Sequence, residues 1–175
     1  ESELAVDRRQ VALDRFGADV SMACSFGAED VVVLDKLMQA DPSARVFSID
    51  TGRLKEETYE CAEAIRRRYG LKIEWFFPRS DEVEKLEREK GMYSFRESLP
   101  ARHECCGIRK VEPLNRALAG LKAWITGLRK DQSVTRTEVK QFDEDAAHGG
   151  ILKVNPIAEW TSEMVWDYIR RRELP

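Results

Sequence analysis

The feature that most limits the fold is an alternation: short apolar runs, each followed by a longer stretch with helical periodicity. "ADVSMACS" (Ala18–Ser25) reads as a buried strand, and "EDVVVLDKLMQA" (Glu29–Ala40) as the helix behind it. "ARVFSID" is a second strand. In "KEETYECAEAIRRRYG", Tyr59, Ala62, Ile65 and Tyr69 form one helical stripe, and Gly70 suits a C-cap. "LKIEWFF" is a third strand, and "SDEVEKLEREKG" a short helix with a Ser or Asp cap. "VEPLNRALAG" predicts a helix, "KAWITGL" a fourth strand and "ILKVNP" a fifth. "TSEMVWDYIRRRELP" predicts a helix opened by a capping box from Thr161 to Met164. The stretch "RKDQSVTRTEVKQFDEDAAHGG" reads as a long polar loop. Such alternation predicts an α/β fold: one domain over residues 1–175, with a parallel sheet of about five strands and helices on both faces.

Charge excludes some functions. Charged residues are 35% of the chain but the net charge is -3, which argues against a general nucleic-acid binder. No apolar run approaches the roughly 20 residues of a membrane span, and "ESELAVDRRQ" has no signal-peptide pattern. The spacing of Cys24, Cys61, Cys105 and Cys106 is unlike a secreted disulfide framework, so the expectation is a cytoplasmic protein with reduced thiols.

In parallel sheets ligands bind beyond the carboxyl ends of the strands, and three of these ends carry glycine and polar residues. In "CSFGAED", Gly27 permits a tight turn, free N–H groups at the helix start can cradle an anion, and Ser25 adds a hydroxyl. Glu29 and Asp30 suit the helix dipole or a ribose. An ordinary βα turn fits the same string. In "IDTGRL", Asp50, Thr51 and Gly52 form a strand end, and backbone near Leu54 could read an adenine edge; a plain turn and cap also fits. "WITGLRKDQSVTR" offers Gly127, Arg129, Lys130 and Arg136, either as bidentate anion ligands or as a solvated charged loop.

"HECCGIRK" places two thiols, Cys105 and Cys106, side by side, closely followed by Arg109 and Lys110. A buried pair of small residues is one reading. A zinc or iron–sulfur site is another, but a closed site needs four ligands. His103 is a candidate ligand or a surface histidine; Cys24 and Cys61 lie on other elements.

Taken in order, "CSFGAEDVVVLDKL", "IDTGRLKEETYE", "ECCGIRKVEPL", "AWITGLRKDQSVTR" and "KVNPIAEWTSEMVWDYIRRRELP" resemble the assimilatory adenosine 5′-phosphosulfate (APS) reductases, relatives of the 3′-phospho-APS (PAPS) reductases. The resemblance covers nearly the whole chain. It implies an adenine nucleotide alpha hydrolase-like (PP-loop) fold and reduction of APS to sulfite and AMP. Thioredoxin is the implied electron donor, an S-sulfocysteine the intermediate, and a homo-oligomer the assembly. It implies that Cys105 and Cys106 supply half the ligands of a [4Fe–4S] cluster, a feature that favours APS over PAPS. Lys110 then lies between cluster and substrate. Ser25, Phe26 and Gly27 belong to the PP-loop, with Glu29 and Asp30 behind it. Leu54 and Gly127 match backbone contacts to adenine, Arg136 an arginine that binds the phosphosulfate, and Arg129 a second cation.

The family pattern continues past "RRRELP" with a CysXXCys pair and a tail that carries the catalytic cysteine, and no segment here matches either. The expectation is a chain that binds nucleotide without turning over, with the nucleophile and two cluster ligands outside it. Two other functions fit a PP-loop domain: PAPS reduction, and a non-redox adenylyl-transfer or ATP pyrophosphatase reaction. The second usually shows a "SGGxDS"-like loop, which "SFGAED" is not.

Overall fold

A computed structural model describes residues 16–132 and 139–175. The strands are β1 (Val20–Ala23), β2 (Arg45–Ile49), β3 (Ile73–Phe76), β4 (Ala123–Ile125), β5 (Phe142–Asp145) and β6 (Ile151–Val154). The helices are α1 (Ala28–Ala40), α2 (Glu56–Tyr69), α3 (Ser80–Lys90), α4 (Leu99–Cys106), α5 (Glu112–Leu118) and α6 (Ser162–Arg172). The strands form one six-stranded sheet in the order β3-β2-β1-β4-β6-β5. All neighbours are parallel except β5 and β6.

The sheet therefore has one strand more than its apolar runs predict. The extra strand, β5, lies inside the stretch read as a polar loop. Its sequence "FDED" is mostly exposed, and a charged edge strand gives no alternation to read while it blunts edge-to-edge association.

Alternation in the central strands divides two cores. Met22 of β1 faces Val46 and Ile125 across the parallel ladders, and all three are buried with α1, Ala62 and Ile65 of α2, and Val165 of α6. On the other face, Phe47 and Trp124 pack with Ala117 and Leu118 of α5. Helix α1 is buried from Val31 to Met38, including Asp35 and Lys36, as expected of a helix enclosed on several sides. Asp35 accepts hydrogen bonds from the hydroxyls of Tyr69 (2.5 Å) and Tyr168 (2.7 Å) and from Arg172, which ties α1 to α2 and α6.

Several end signals act as read. Gly70 takes φ 62° after α2, and Thr161 Oγ1 accepts from the Met164 N–H at 3.2 Å, a single N-cap bond and not the expected box, because Met164 has no side-chain acceptor to return it. Ser80 does not cap α3; the preceding Arg79 holds the cap position without a side-chain bond. The helix expected from Val111 also begins earlier. The chain is helical from Leu99 through Leu118, with one wide π turn at Gly107–Val111. Pro113 has no N–H for the Arg109 carbonyl and its ring would clash there, so the widened turn lies where the regular bond is lost.

Chain order matters for the site. From β1 the chain moves outward through β2 and β3, then returns to place β4 on the other side of β1. The crevice beyond β1 and β4 is the switch point where such sheets bind ligands. No helix among the described residues is long and apolar enough to cross a membrane.

Candidate functional site

A cleft of about 620 Å³ opens at this switch point. Its floor and rim include Ser25, Gly27, Glu29 and Asp30 from the β1–α1 connection, Leu54 after β2, Lys110 from the π turn and Gly127 after β4. Phe47, Ile49, Leu114 and Trp124 supply apolar wall. Of the residues read from the sequence, these seven polar, glycine and leucine positions meet in one cavity.

The β1–α1 turn is built differently from the expectation. Gly27 has φ -73° and an added Cβ would meet only Ser25 Oγ at 3.7 Å, so the turn does not need its freedom. Phe26 takes the left-handed conformation instead, at φ 61°. Its ring is buried and packs on Trp75 at 5.7 Å, so the surrounding core holds a backbone geometry that L-residues rarely adopt. Phe26 accordingly anchors the loop from within the core and does not line the cleft.

The N-cap residue of α1 is Gly27, which has no side chain to cap the helix, and Gly27, Glu29 and Asp30 of this start line the cleft. Asp30 is engaged elsewhere: its Oδ2 accepts from the Ser25 N–H and from Ser25 Oγ, both at 2.6 Å. Burial pushes the Asp30 carboxyl up, and the Glu29 charge adds to this against hydrogen bonds from Ser25 and Gly127. Gly127 runs so close to α1 that an added Cβ would lie 2.2 Å from Asp30 Oδ1 and 3.0 Å from the Asp30 nitrogen. A residue with no side chain is required there.

Arg129 does not reach the cleft. It is 4% exposed, and its guanidinium bonds Glu29 Oε1 at 2.6 and 3.1 Å, the Trp160 carbonyl at 3.2 Å and Ser162 Oγ at 3.1 Å. Burial alone would raise the Glu29 carboxyl, but Arg129 holds it below the usual carboxylate range. Arg129 thus braces Glu29 and the start of α6 in this structure. Arg136 lies outside the described residues. Sequence reading missed Trp124, His148 and Lys153, which also line the cleft. Alternation along β4 turns Trp124 toward this face, whereas the β5–β6 hairpin that brings His148 and Lys153 carries no such signal.

Cys105 and Cys106 are the last two residues of α4, the first 7% exposed and the second exposed. The described residues contain no group of three or more His, Cys, Asp or Glu able to hold a metal ion. Two adjacent thiols fit half of a four-thiolate donor set, and the described residues do not complete it. Cys24 and Cys61 are poor candidates for the remainder. Burial pushes both thiols up, and Cys61 Sγ donates to the Phe26 carbonyl at 3.8 Å.

The start of α1, a lysine and a long apolar wall thus share one cleft. The sequence pattern of the phosphoadenosine phosphosulfate reductase domain matches residues 19–175. The chain belongs to this family. It is 44% identical over 156 residues to the adenosine 5′-phosphosulfate reductase of Allochromatium vinosum, covering 89% of this chain and 60% of that protein. It is 46% identical over 172 residues to the chloroplastic 5′-adenylylsulfate reductase 1 of Arabidopsis thaliana, covering 94% of this chain and 36% of the relative. The chain therefore spans between about a third and two thirds of these relatives' length. A crystal structure of the Candida auris phosphoadenylyl-sulfate reductase in complex with phosphate superposes with a TM-score of 0.83 at 24% identity, covering 98% of this chain and 80% of that one. This likeness establishes the shared reductase-domain fold.

Proposed function

We propose that this chain is the nucleotide-binding body of an assimilatory APS reductase, which converts adenylyl sulfate to sulfite and AMP. The observation that carries the reading is the convergence of the α1 start, Lys110, Leu54 and Gly127 on one cleft at the switch point. The apolar wall would take the adenine, and the α1 N–H groups with Lys110 would take the phosphosulfate. The relatives named above are APS reductases, and with the Cys105–Cys106 pair they support APS over PAPS.

The chemistry is a two-stage transfer. A cysteine thiolate outside the described residues attacks the sulfate sulfur, the bond from sulfur to the bridging oxygen breaks, and AMP leaves with both electrons of that bond. A thioredoxin dithiol then reduces the S-sulfocysteine, releasing sulfite as the dithiol becomes a disulfide. Lys110 and the α1 N–H groups stabilise negative charge gathering on the AMP phosphate as it departs. Cys105 and Cys106 would hold two corners of a [4Fe–4S] cluster. When bound, that cluster would add its charge to the field around the phosphosulfate. Four free thiols suit a reducing compartment such as the cytoplasm, and the homo-oligomer rests on the family resemblance alone.

The test is thioredoxin-dependent sulfite release from APS and from PAPS by the full-length gene product. Release from APS alone supports the assignment. Pyrophosphate release from ATP without sulfite from either substrate would overturn it in favour of nucleotide transfer.

A further inference from the structure

Lys110 and Leu54 reach the cleft from segments with no shared strand: the π turn and the connection between β2 and α2. The link between them is Arg109. Its side chain is 9% exposed; one nitrogen, Nη1, donates to the Thr51 carbonyl at 2.8 Å, and Nη2 donates to Glu87 Oε1 at 2.5 Å. Glu87 also takes Arg53 at 3.0 Å, and Arg53 donates onward to the Met92 carbonyl. One carboxylate on α3 thus gathers the residue before Lys110 and the residue before Leu54.

The fit around this fork is close. Gly52 has φ +72°, and an added Cβ would sit 3.1 Å from Arg109 Nη1. The same connection is held from its other end by Asp50, which accepts from the Gly52 N–H at 2.7 Å and from the Tyr59 hydroxyl at 2.8 Å. Yet the ion pair is incompletely satisfied. Among the described residues, Arg109 Nε and Glu87 Oε2 are buried and find no partner. A buried pair with unmet groups adds little net stability, and an apolar pair of similar volume would serve the core as well. What the planar guanidinium supplies, and an apolar or lysine side chain does not, is a fixed angle between two acceptors.

We propose that Arg109 is a positioning residue that sets the span between the Lys110 ammonium and the Thr51–Leu54 wall, so that the two ends of one ligand are gripped in register. The inference rests on the reading of the cleft as the nucleotide site. It assigns Arg109 no contact with substrate; it acts through its neighbours on both sides.

The experiment uses the full-length protein with three readouts: the thermal midpoint, the AMP dissociation constant and the single-turnover rate of sulfite formation from APS. Arg109→Lys keeps the charge and loses the fork; Glu87→Gln keeps the shape and loses the ion pair. The expected result for Arg109→Lys is a thermal midpoint near wild type, with AMP affinity and single-turnover rate each reduced on the order of tenfold. Glu87→Gln should shift both in the same direction, and the double variant should be no worse than the poorer single one. A lowered midpoint with AMP affinity and rate both intact, in either variant, would make Arg109 a fold support only. Wild-type protein that fails to bind AMP would instead overturn the nucleotide-site reading itself.

Discussion

Replacing Gly127 by alanine should damage both stability and binding, because β4 ends against the first turn of α1 with no room for a side chain. The new Cβ would lie 2.2 Å from Asp30 Oδ1, 3.0 Å from the Asp30 nitrogen and 3.1 Å from the Glu29 carbonyl carbon. The carboxylate can swing away, but the helix backbone cannot. Overpacking of this kind costs about 1–3 kcal/mol. Moving Asp30 also weakens its 2.6 Å bonds from the Ser25 N–H and hydroxyl, and a hydrogen bond to a charged group contributes about 1.5–3 kcal/mol. With those bonds strained and not fully lost, the sum is about 3 kcal/mol. A domain of this size loses roughly 2–4 °C per kcal/mol, so Tm should fall by roughly 6–12 °C. Thermal unfolding followed by circular dichroism, with and without AMP, measures both effects. Release of the Ser25 loop should also remove most of the stabilisation by AMP. A Gly127→Ala protein with Tm within about 1 °C of wild type and an unchanged AMP shift would refute this account of the loop.

Lys110→Ala should lower the single-turnover rate of APS reduction by roughly 10²-fold, the scale for one charge-stabilising group, while AMP affinity measured by calorimetry changes much less. Phe26→Gly removes the positive-φ strain, about 1–2 kcal/mol, but loses a buried aromatic ring, about 3–5 kcal/mol. The net should be a destabilisation of about 2–3 kcal/mol in chemical denaturation, and a more stable variant would show that strain outweighs packing. Asp35 supplies a pH test. Burial works to raise its carboxyl, but Arg172 and the hydroxyls of Tyr69 and Tyr168 outweigh it and hold the group below its ordinary value. A depressed carboxyl contributes stability that is complete above the unfolded value of about 3.9 and lost as pH falls through the lower folded value. Asp35→Asn should therefore lower stability at neutral pH and flatten the acid limb of the stability–pH profile; parallel wild-type and variant profiles would contradict the hub.

Much of the fold was legible because buried parallel strands and enclosed helices leave strong apolar signals. Met22, Val46 and Ile125 lie in such runs, and they meet at the centre of the sheet. Gly70 and Thr161 were legible because their roles are local: one takes a positive φ, the other caps its own helix. β5 and the helix before Cys106 were not. "FDED" pairs only because β6 offers an edge beside it, and Leu99–Cys106 owes its helical state to Ser98, whose hydroxyl accepts from the Ala101 N–H, and to its continuation into the π turn. Neither cause has a period.

The site divides along the same line. Motif positions marked which strand ends open into the cleft, since Ser25, Leu54, Lys110 and Gly127 are all at its surface. Motifs did not mark how each position acts, because action depends on what arrives from elsewhere in the chain. A glycine in a turn suggests backbone freedom, yet the left-handed residue is Phe26, held by Trp75 from β3. An arginine after a strand suggests an anion ligand, yet Arg129 is drawn inward by Glu29 and by the Trp160 carbonyl 31 residues away. Conversely, Arg109 stood beside Lys110 as a second charge of the same kind. Successive residues of a helical turn do not share a face, and the two side chains part: Lys110 lines the cleft, while Arg109 goes to the Thr51 carbonyl and Glu87. Adjacent cations thus acquire different work through the acceptors that α3 and the β2–α2 connection bring to one of them, a relation that only the assembled fold displays.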